Sequence, residues 1–500
     1  MSDTLSGFLR DAVTKAPSKP LLVFEGREYP YSVIDLYSSR FASLLQWRGI
    51  SKGSRVAVKL RNCPEFVVTW FGAAKAGCIL VPINPAYKGS ETNQILAHAK
   101  PKLLVTRPEL VESVPAVQDV LMLEGTPGFS LDHPLEGFGQ SFVPPTIVPE
   151  DPLVIIYTSG TTGGPKGVVQ SHRTYIITGR AFPQWLGLTS SDVLSTTLPL
   201  NHINAQAYSV MGAVGAGATL VLREGFSLSR FWDELKESGA TEFNAIGAML
   251  MLMYKNLKGT TDHRVRVCYG APALQEDVRL ALEERFRIRI IFGYGLSECT
   301  FGCIEPLEGP RRPLTLGKPR SLAGYPNEVA VMDGEGKTVP DGTVGEIVLK
   351  NAAVMNGYFG DDEKTRHVLR SEWLHTGDLG YRDRDGFLYF VDRSSETIRR
   401  RGENISSSEL ESVIDSHPHV AQSAVVGIPS ELSDDDVVAF VVPMEGSTLS
   451  KESVLAWCEE RLAGFKLPTA VFIVGSLPQT PTFRVAKAKL RAEAVRLLGR

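Results

Sequence analysis

Long apolar runs, an excess of one charge and paired cysteines are all missing from this 500-residue chain. No apolar run approaches the ~20 residues that a membrane-crossing helix needs. The first twenty residues, MSDTLSGFLRDAVTKAPSKP, have no apolar core of signal-peptide length and carry acidic groups that transit peptides avoid. These absences predict a soluble, cytoplasmic protein with no membrane partner. Lysine plus arginine number 53 against 56 acidic residues, a net charge of −3. That argues against nucleic acid as a partner, because binders driven by bulk charge are usually clearly basic. The six cysteines (63, 78, 268, 299, 303 and 458) are scattered, and Cys299 and Cys303 have no second pair or histidine cluster to complete a zinc site. Reduced thiols are expected.

What is present is an apolar content of 43%, enough to fill the cores of roughly three domain-sized units. Short apolar strands alternate with amphipathic helices: SRVAVKL (54–60), PEFVVTWFGAAKAG (64–77) and CILVPI (78–83), with KLLVT (102–106) and DVLMLEG (119–125) as further strands. The alternation returns in ATLVL (218–222), LSRFWDELKESG (228–239), RVRVCYG (264–270), QEDVRLALEERF (275–286) and IRIIFGYG (288–295). This pattern predicts parallel sheets covered by helices on both faces. From about residue 325, Asp-Gly turns between period-two strands signal hairpins. Beyond Asp392 follow a helix, two strands and another helix. The expected fold is α/β: an N-terminal domain, 1–392, of two doubly covered mixed or parallel sheets with a small β-barrel-like subdomain at about 325–392, then an α+β C-terminal domain, 393–500.

The stretch IIYTSGTTGGPKGVV (155–169) carries the most chemistry. An apolar strand ends in Thr158, Ser159, Gly160, Thr161 and Thr162, and Lys166 follows two more glycines and a proline. Glycines let backbone N–H groups turn inward and hydroxyls add donors, so such a loop can wrap a polyphosphate. It is not the Gly-Lys-Ser/Thr loop that opens a helix, since Pro165 precedes the lysine and Gly167 follows it.

This loop closely resembles the signature of the adenylate-forming superfamily of acyl-CoA synthetases, peptide-synthetase adenylation domains and luciferases, and the resemblance extends over nearly the whole chain. It implies an acid–thiol ligase of acyl-CoA type. Such an enzyme activates a carboxylic acid with ATP and Mg2+ to an acyl-adenylate, after which its C-terminal domain rotates and coenzyme A displaces AMP. By the same resemblance, the protein is a monomer or homodimer.

Further motifs carry the resemblance. In YGAPA (269–273), backbone at Gly270, Ala271 and Pro272 would lie along the adenine. In GYGLSE (293–298), Tyr294 would stack on the base, Ser297 would bond the α-phosphate in place of the commoner threonine, and Glu298 would hold Mg2+. A carboxylate beside phosphates needs such a cation between them. Asp378 in LHTGDLGYRDRDG (374–386) would accept the ribose hydroxyls, with Arg393 as a second ribose or phosphate contact. Ser395 resembles the inter-domain hinge, where the family often has Asp or Lys. RRRGEN would present Arg399, Arg401, Gly402 and Glu403 to coenzyme A, glycine allowing the pantetheine arm close to the backbone; an exposed cationic cluster is the plainer alternative. LPLNHINAQAYS (198–209) resembles the acyl-pocket helix, with His202 as a gate or a structural histidine and Asn204 beside it, and FNAIGAML (243–250) would add Phe243 and Gly247.

The final motif departs from the family. SLPQTPTFRVAKAKL (476–490) has Thr482-Phe483-Arg484 where the family usually has Thr-Gly-Lys, the lysine that bridges the acid's carboxylate and the α-phosphate. Lys487 and Lys489 align with ordinary basic residues that follow. A planar guanidinium fork does not reproduce a compact ammonium, and losing a preorganised donor to a developing oxyanion costs about 3–4 kcal/mol. The expectation is therefore a thioester-forming enzyme with adenylation lost or weak, fed a preformed acyl-adenylate by a separate adenylating enzyme. Split pathways of that kind are known from diterpenoid antibiotic biosynthesis. The alternatives are a complete ATP-dependent acid–CoA ligase, an enzyme loading a carrier protein, and an inactive adenylate-binding module.

Overall fold

The computed structural model describes residues 3–87, 89–110, 119–122, 142–159, 165–309, 311–393, 396, 398–400, 403–430, 435–462, 464–480 and 485–499. The chain forms two compact units, Met1–Val329 with Leu349–Leu374 and Ala330–Val348 with His375–Arg500. The β-rich stretch read from about 325 to 392 is thus divided between the two.

In the first unit, one sheet runs Thr315–Pro319, Cys299–Ile304, Arg289–Leu296, Val267–Ala271, Glu242–Ile246, Val193–Thr196, Thr219–Leu222, Pro20–Phe24, Arg27–Pro30. The pairs from Arg289–Leu296 through Pro20–Phe24 are parallel, and the strands flanking this run are antiparallel. The parallel strands are nearly continuous apolar runs because both faces are buried, as in the fully buried Leu194, Leu220, Leu222, Ile290 and Ile291. A second sheet of seven strands runs Gly357–Tyr358, Pro165–Ser171, Pro152–Ser159, Ile79–Pro82, Arg55–Lys59, Leu103–Thr106, Val120–Met122. Its first two strands are antiparallel additions to a parallel run. The helix Pro64–Lys75 opens at a proline, where the missing N–H costs nothing, and nearly all of it is buried.

A buried ion pair fixes one of the strands that later matter. Arg279, on the helix Glu276–Phe286, is 1% exposed. Its Nη1 donates to Glu305 Oε1 at 2.8 Å and its Nη2 to the Ile290 carbonyl at 3.1 Å. Glu305 Oε2 accepts the Phe292 N–H at 2.8 Å. The pair therefore ties the helix to Arg289–Leu296 and compensates an edge that the ladder does not fill.

In the second unit, Val420–Pro429, Asp435–Pro443 and Ala470–Ile473 form a three-stranded sheet. Alternation sends Val425, Val437, Ala439 and Val441 to a core completed by Leu410, Ile414, Val454 and Cys458 of the helices Ser407–Asp415 and Lys451–Glu459. Ala424, Val426, Val438 and Phe440 face the other way, onto Leu490 and Ala494 of the helix Lys487–Leu497. The expected Asp-Gly hairpin joins Trp373–Arg382 to Leu388–Arg393, with Asp383 Oδ1 accepting the N–H groups of Asp385 and Phe387 at 3.0 and 2.9 Å. Among the described residues no helix is long and apolar enough to cross a membrane, and all six cysteines are buried free thiols.

Removing one member of a buried ion pair strands the other charge, so Arg279→Met is expected to destabilise the first unit by about 3–5 kcal/mol. Thermal unfolding followed by circular dichroism should show a lowered first transition; an unchanged melt would mean the pair contributes nothing.

Candidate active site

In the parallel run of the first unit, the carboxyl ends of neighbouring strands lie along one edge, the usual place for a ligand in an α/β sheet. The register pairs Ile246 with Ala271 and Gly270 with Phe292. Gly247, Gly270, Ala271, Pro272 and Tyr294 are thereby gathered at adjacent strand ends, and the segment leaving Val193–Thr196 brings His202 and Asn204 to the same edge. Close packing explains the glycines here. A Cβ on Gly293 would meet the Tyr269 hydroxyl at 2.7 Å, one on Gly302 would meet the Tyr294 carbonyl oxygen at 2.1 Å, and one on Gly247 would meet Pro272 Cδ at 3.1 Å. Gly247 thus serves the close approach of the Pro272 turn.

The residues around His202 form a widened turn. Ala205–Val210 is a π-helix, a form that recurs at functional sites. His202 precedes it, half-buried, with its Nε2 3.3 Å from Asn201 Nδ2. The Asn204 amide oxygen is buried without a hydrogen-bond partner. Phe243 does not share this face: it stacks edge-on against Phe231 at 5.1 Å in the helix-covered core. The next residue, Asn244, points the opposite way and donates to Ser209 Oγ at 2.8 Å, its amide oxygen unpartnered. Sequence reasoning passed over Asn244, though a buried asparagine in an apolar strand was a visible signal.

The strands flanking the Gly/Thr-rich loop make a hairpin, Pro152–Ser159 against Pro165–Ser171, with Thr158 paired to Lys166. Gly160, Thr161 and Thr162 lie outside the described residues. Lys166 Nζ lies 2.7 Å from Glu298 Oε1 and 4.2 Å from the centre of the Tyr358 ring. The Tyr358 hydroxyl donates to the same Glu298 oxygen at 2.9 Å. Tyr358 arrives there because Gly357–Tyr358 pairs with Val168 and Val169 beside Lys166. Glu298 sits with Ser297 in the turn between Arg289–Leu296 and Cys299–Ile304, and the Met355 N–H donates to its carbonyl at 2.8 Å. Gln170 Nε2 donates to the Ser297 carbonyl. Burial alone would raise the Glu298 carboxyl, but the Lys166 cation and the Lys166 and Tyr358 hydrogen bonds outweigh it and hold Glu298 below the usual range. Burial and the neighbouring Glu298 charge push the Tyr358 phenol up. Tyr358 is the residue sequence reasoning missed most clearly; its signal is the glycine-flanked NGYFG.

In the second unit, Asp378 and Arg393 are register partners, and Arg393 Nε lies 3.1 Å from Asp378 Oδ1. Asp378 is 2% exposed. Its N–H donates to Thr376 Oγ1 at 3.0 Å, and Gly377 N–H donates to Glu346 Oε1 at 2.9 Å, so the turn before Asp378 is fixed from both sides. The structure thus brings together the two residues read as ribose contacts. Arg399 and Glu403 sit on a short hairpin, Ile398–Arg400 against Glu403–Ile405. Its connecting Arg401 and Gly402, along with Ser395 and Arg484, lie outside the described residues.

Residues 9–359 match the AMP-binding enzyme family and residues 409–484 the AMP-binding enzyme C-terminal domain. Among curated proteins, the chain is 34% identical to a crotonobetaine/carnitine–CoA ligase of Salmonella enteritidis over 520 residues, covering 98% of each. Among solved structures, it is similar to an anthranilate CoA ligase in complex with anthranoyl-AMP, at 26% identity and a TM-score of 0.90 over the whole of both chains. ATP-bound MatB from Rhodopseudomonas palustris gives 27% identity and a TM-score of 0.89, again over the whole of both chains. The chain belongs to the AMP-binding, adenylate-forming enzyme family and is an acyl-CoA ligase, an enzyme that joins an acid to a thiol as a thioester.

Proposed function

We propose that this ligase is specialised for the thioester-forming step, taking a preformed acyl-adenylate from a separate adenylating enzyme and transferring its acyl group to coenzyme A. The observation that carries this reading is the replacement of the family's Gly-Lys by Phe483-Arg484 in a chain whose other motifs resemble the family's apart from serine at 297 and 395. Arg484 retains the charge but not the compact ammonium that the acid carboxylate and α-phosphate require. The remaining assignments follow the family: Gly270, Ala271, Pro272 and Tyr294 take the adenine, Ser297 the α-phosphate, and Asp378 with Arg393 the ribose. Coenzyme A falls to the Arg399–Glu403 hairpin, and the acyl group to the edge bearing His202 and Asn204.

The residues present fit a magnesium nucleotide. Lys166 and Glu298 are already paired, so each charge is compensated before any ligand arrives and can exchange its partner for a phosphate oxygen or a metal ion. Mg2+ commonly takes one or two carboxylates and completes its octahedron with water and phosphate. Among the described residues no group of three or more His, Cys, Asp or Glu could hold a metal ion; Glu298, beside Lys166, would be the protein ligand. When bound, the ion would neutralise charge on the phosphates.

Wild type and Arg484→Lys are to be compared on aliphatic, aromatic and terpenoid acids with ATP, Mg2+ and coenzyme A, scoring acyl-CoA by mass spectrometry. The lysine variant is expected to be ~10²–10³-fold faster than wild type from the free acid, and both should convert the synthetic adenylate of that acid. Equal rates from the free acid would instead make this a complete ATP-dependent ligase. In the Arg484→Lys background, Glu298→Gln should lower the ATP-dependent rate by ~10²-fold while thioester formation from the preformed adenylate stays within about threefold. Equal losses in the two assays would remove Glu298 from the phosphate chemistry.

A further inference from the structure

The second unit contains a buried charge cluster that none of the assigned roles uses. Lys487 is the first residue of the helix Lys487–Leu497, and its side chain is only 14% exposed. Its Nζ lies 2.8 Å from Glu411 Oε1 and 3.0 Å from Glu396 Oε2, and donates to Ser407 Oγ at 2.7 Å. A lysine at a helix N-terminus opposes the helix dipole, so local preference does not account for it. The carboxylates do.

From Ser407 the contacts continue to the ribose pair. The Ser407 N–H donates to Asp392 Oδ2 at 2.7 Å, and its hydroxyl, which accepts from Lys487, turns its own proton toward Asp392 Oδ1 at 3.4 Å. The same Oδ1 accepts the Arg393 N–H at 2.7 Å, and Arg393 holds Asp378. Lys487 is therefore joined through Ser407, Asp392 and Arg393 to a carboxylate buried to 2% exposure.

The cluster depends on its cation. Glu396 follows the Leu388–Arg393 strand, Glu411 and Asp415 belong to the helix Ser407–Asp415, and Asp392 is the last residue but one of the strand. Burial drives Glu411 up to about 7 despite the ammonium and the Val425 N–H it accepts at 2.7 Å. Burial also raises Asp392. Burial would lower Lys487, but Glu411 and Glu396 outweigh it and keep it charged. Without Lys487 the carboxylates face one another uncompensated, and Ser407 is free to rotate away from Asp392.

We propose that Lys487 is a positioning residue for the nucleotide, setting through Ser407 and Asp392 the geometry of the Arg393–Asp378 pair that would receive the ribose hydroxyls. This rests on the ribose assignment made above, and the test separates the two. The full chain is titrated calorimetrically with AMP and with 2′,3′-dideoxy-AMP, which lacks the hydroxyls, and the ratio of the two affinities is the readout. General destabilisation weakens both ligands alike and leaves the ratio unchanged. Wild type is expected to prefer AMP by about tenfold or more, and Asp378→Asn to lose that preference. Lys487→Met should reduce it to about twofold, and Lys487→Arg should restore most of it. A full preference in Asp378→Asn would overturn the ribose assignment. Loss in Asp378→Asn with a full preference in Lys487→Met would overturn only the role of Lys487. If Lys487→Met does not fold, Ser407→Ala decides: it removes the hydroxyl that joins Lys487 to Asp392 while keeping every charge and the backbone N–H on Asp392, and an unchanged ratio would reject the proposal.

Discussion

Parallel strands laid side by side put their carboxyl ends on one edge, and the other features of the first unit follow from that constraint. Each parallel connection must leave from this edge and return across a face of the sheet, so the segments beginning near residues 197, 247, 272 and 295 are neighbours although about a hundred residues separate the first from the last. The edge is also the one place where backbone groups leave the ladder without a partner and side chains of several strands converge. Gly293 and Gly302 matter because they let Tyr269 and Tyr294 pack against bare backbone, which holds the edge in one conformation. The antiparallel Cys299–Ile304 strand then folds back over its neighbour and leaves Glu298 at the turn.

The second sheet solves a different problem, which is to hold a lysine beside a carboxylate and a tyrosine away from most of the solvent. A lone buried ammonium is expensive and tends to lose its proton. The Lys166 side chain lies over the Tyr358 ring and against the Glu298 carboxylate. Tyr358 serves both charges at once, offering its ring face to the cation and its hydroxyl to the anion. The arrangement is neutral as a whole, so it can be buried and still hold opposite charges ready.

Most of the fold was legible because its signals are local. Alternating apolar strands and amphipathic helices announced the parallel sheets, and Asp-Gly turns announced the hairpins, since each depends on residues within one element. Asp378 and Arg393 were legible as separate motif positions, and the structure makes them one ion pair. What was not legible depends on partners distant in sequence. Tyr358 acquires its role from Lys166 and Glu298, 192 and 60 positions away, and no periodicity within NGYFG points to either. Phe243 and Asn244 differ by one residue, and period two sends them to opposite faces; choosing the apolar one for the pocket overlooked that an apolar strand flanked by helices buries its large side chains in the core. Lys487 aligns with ordinary basic residues of the motif, whereas in the fold Glu396 and Glu411 enclose it and nearby Lys489 is exposed.

That burial bears on the missing family lysine. A cation a few residues downstream might be thought to stand in for it by a shift of the chain. Lys487 is committed to two carboxylates and a serine hydroxyl, and withdrawing it would leave those half-buried carboxylates facing one another without their cation. Residues 481–486 read PTFRVA, so Arg484 is the one cation the segment itself supplies. Among the described residues, the Lys166–Glu298 contact and the Asp378–Arg393 contact are formed within separate parts of the chain and are present together with the departure at residue 484.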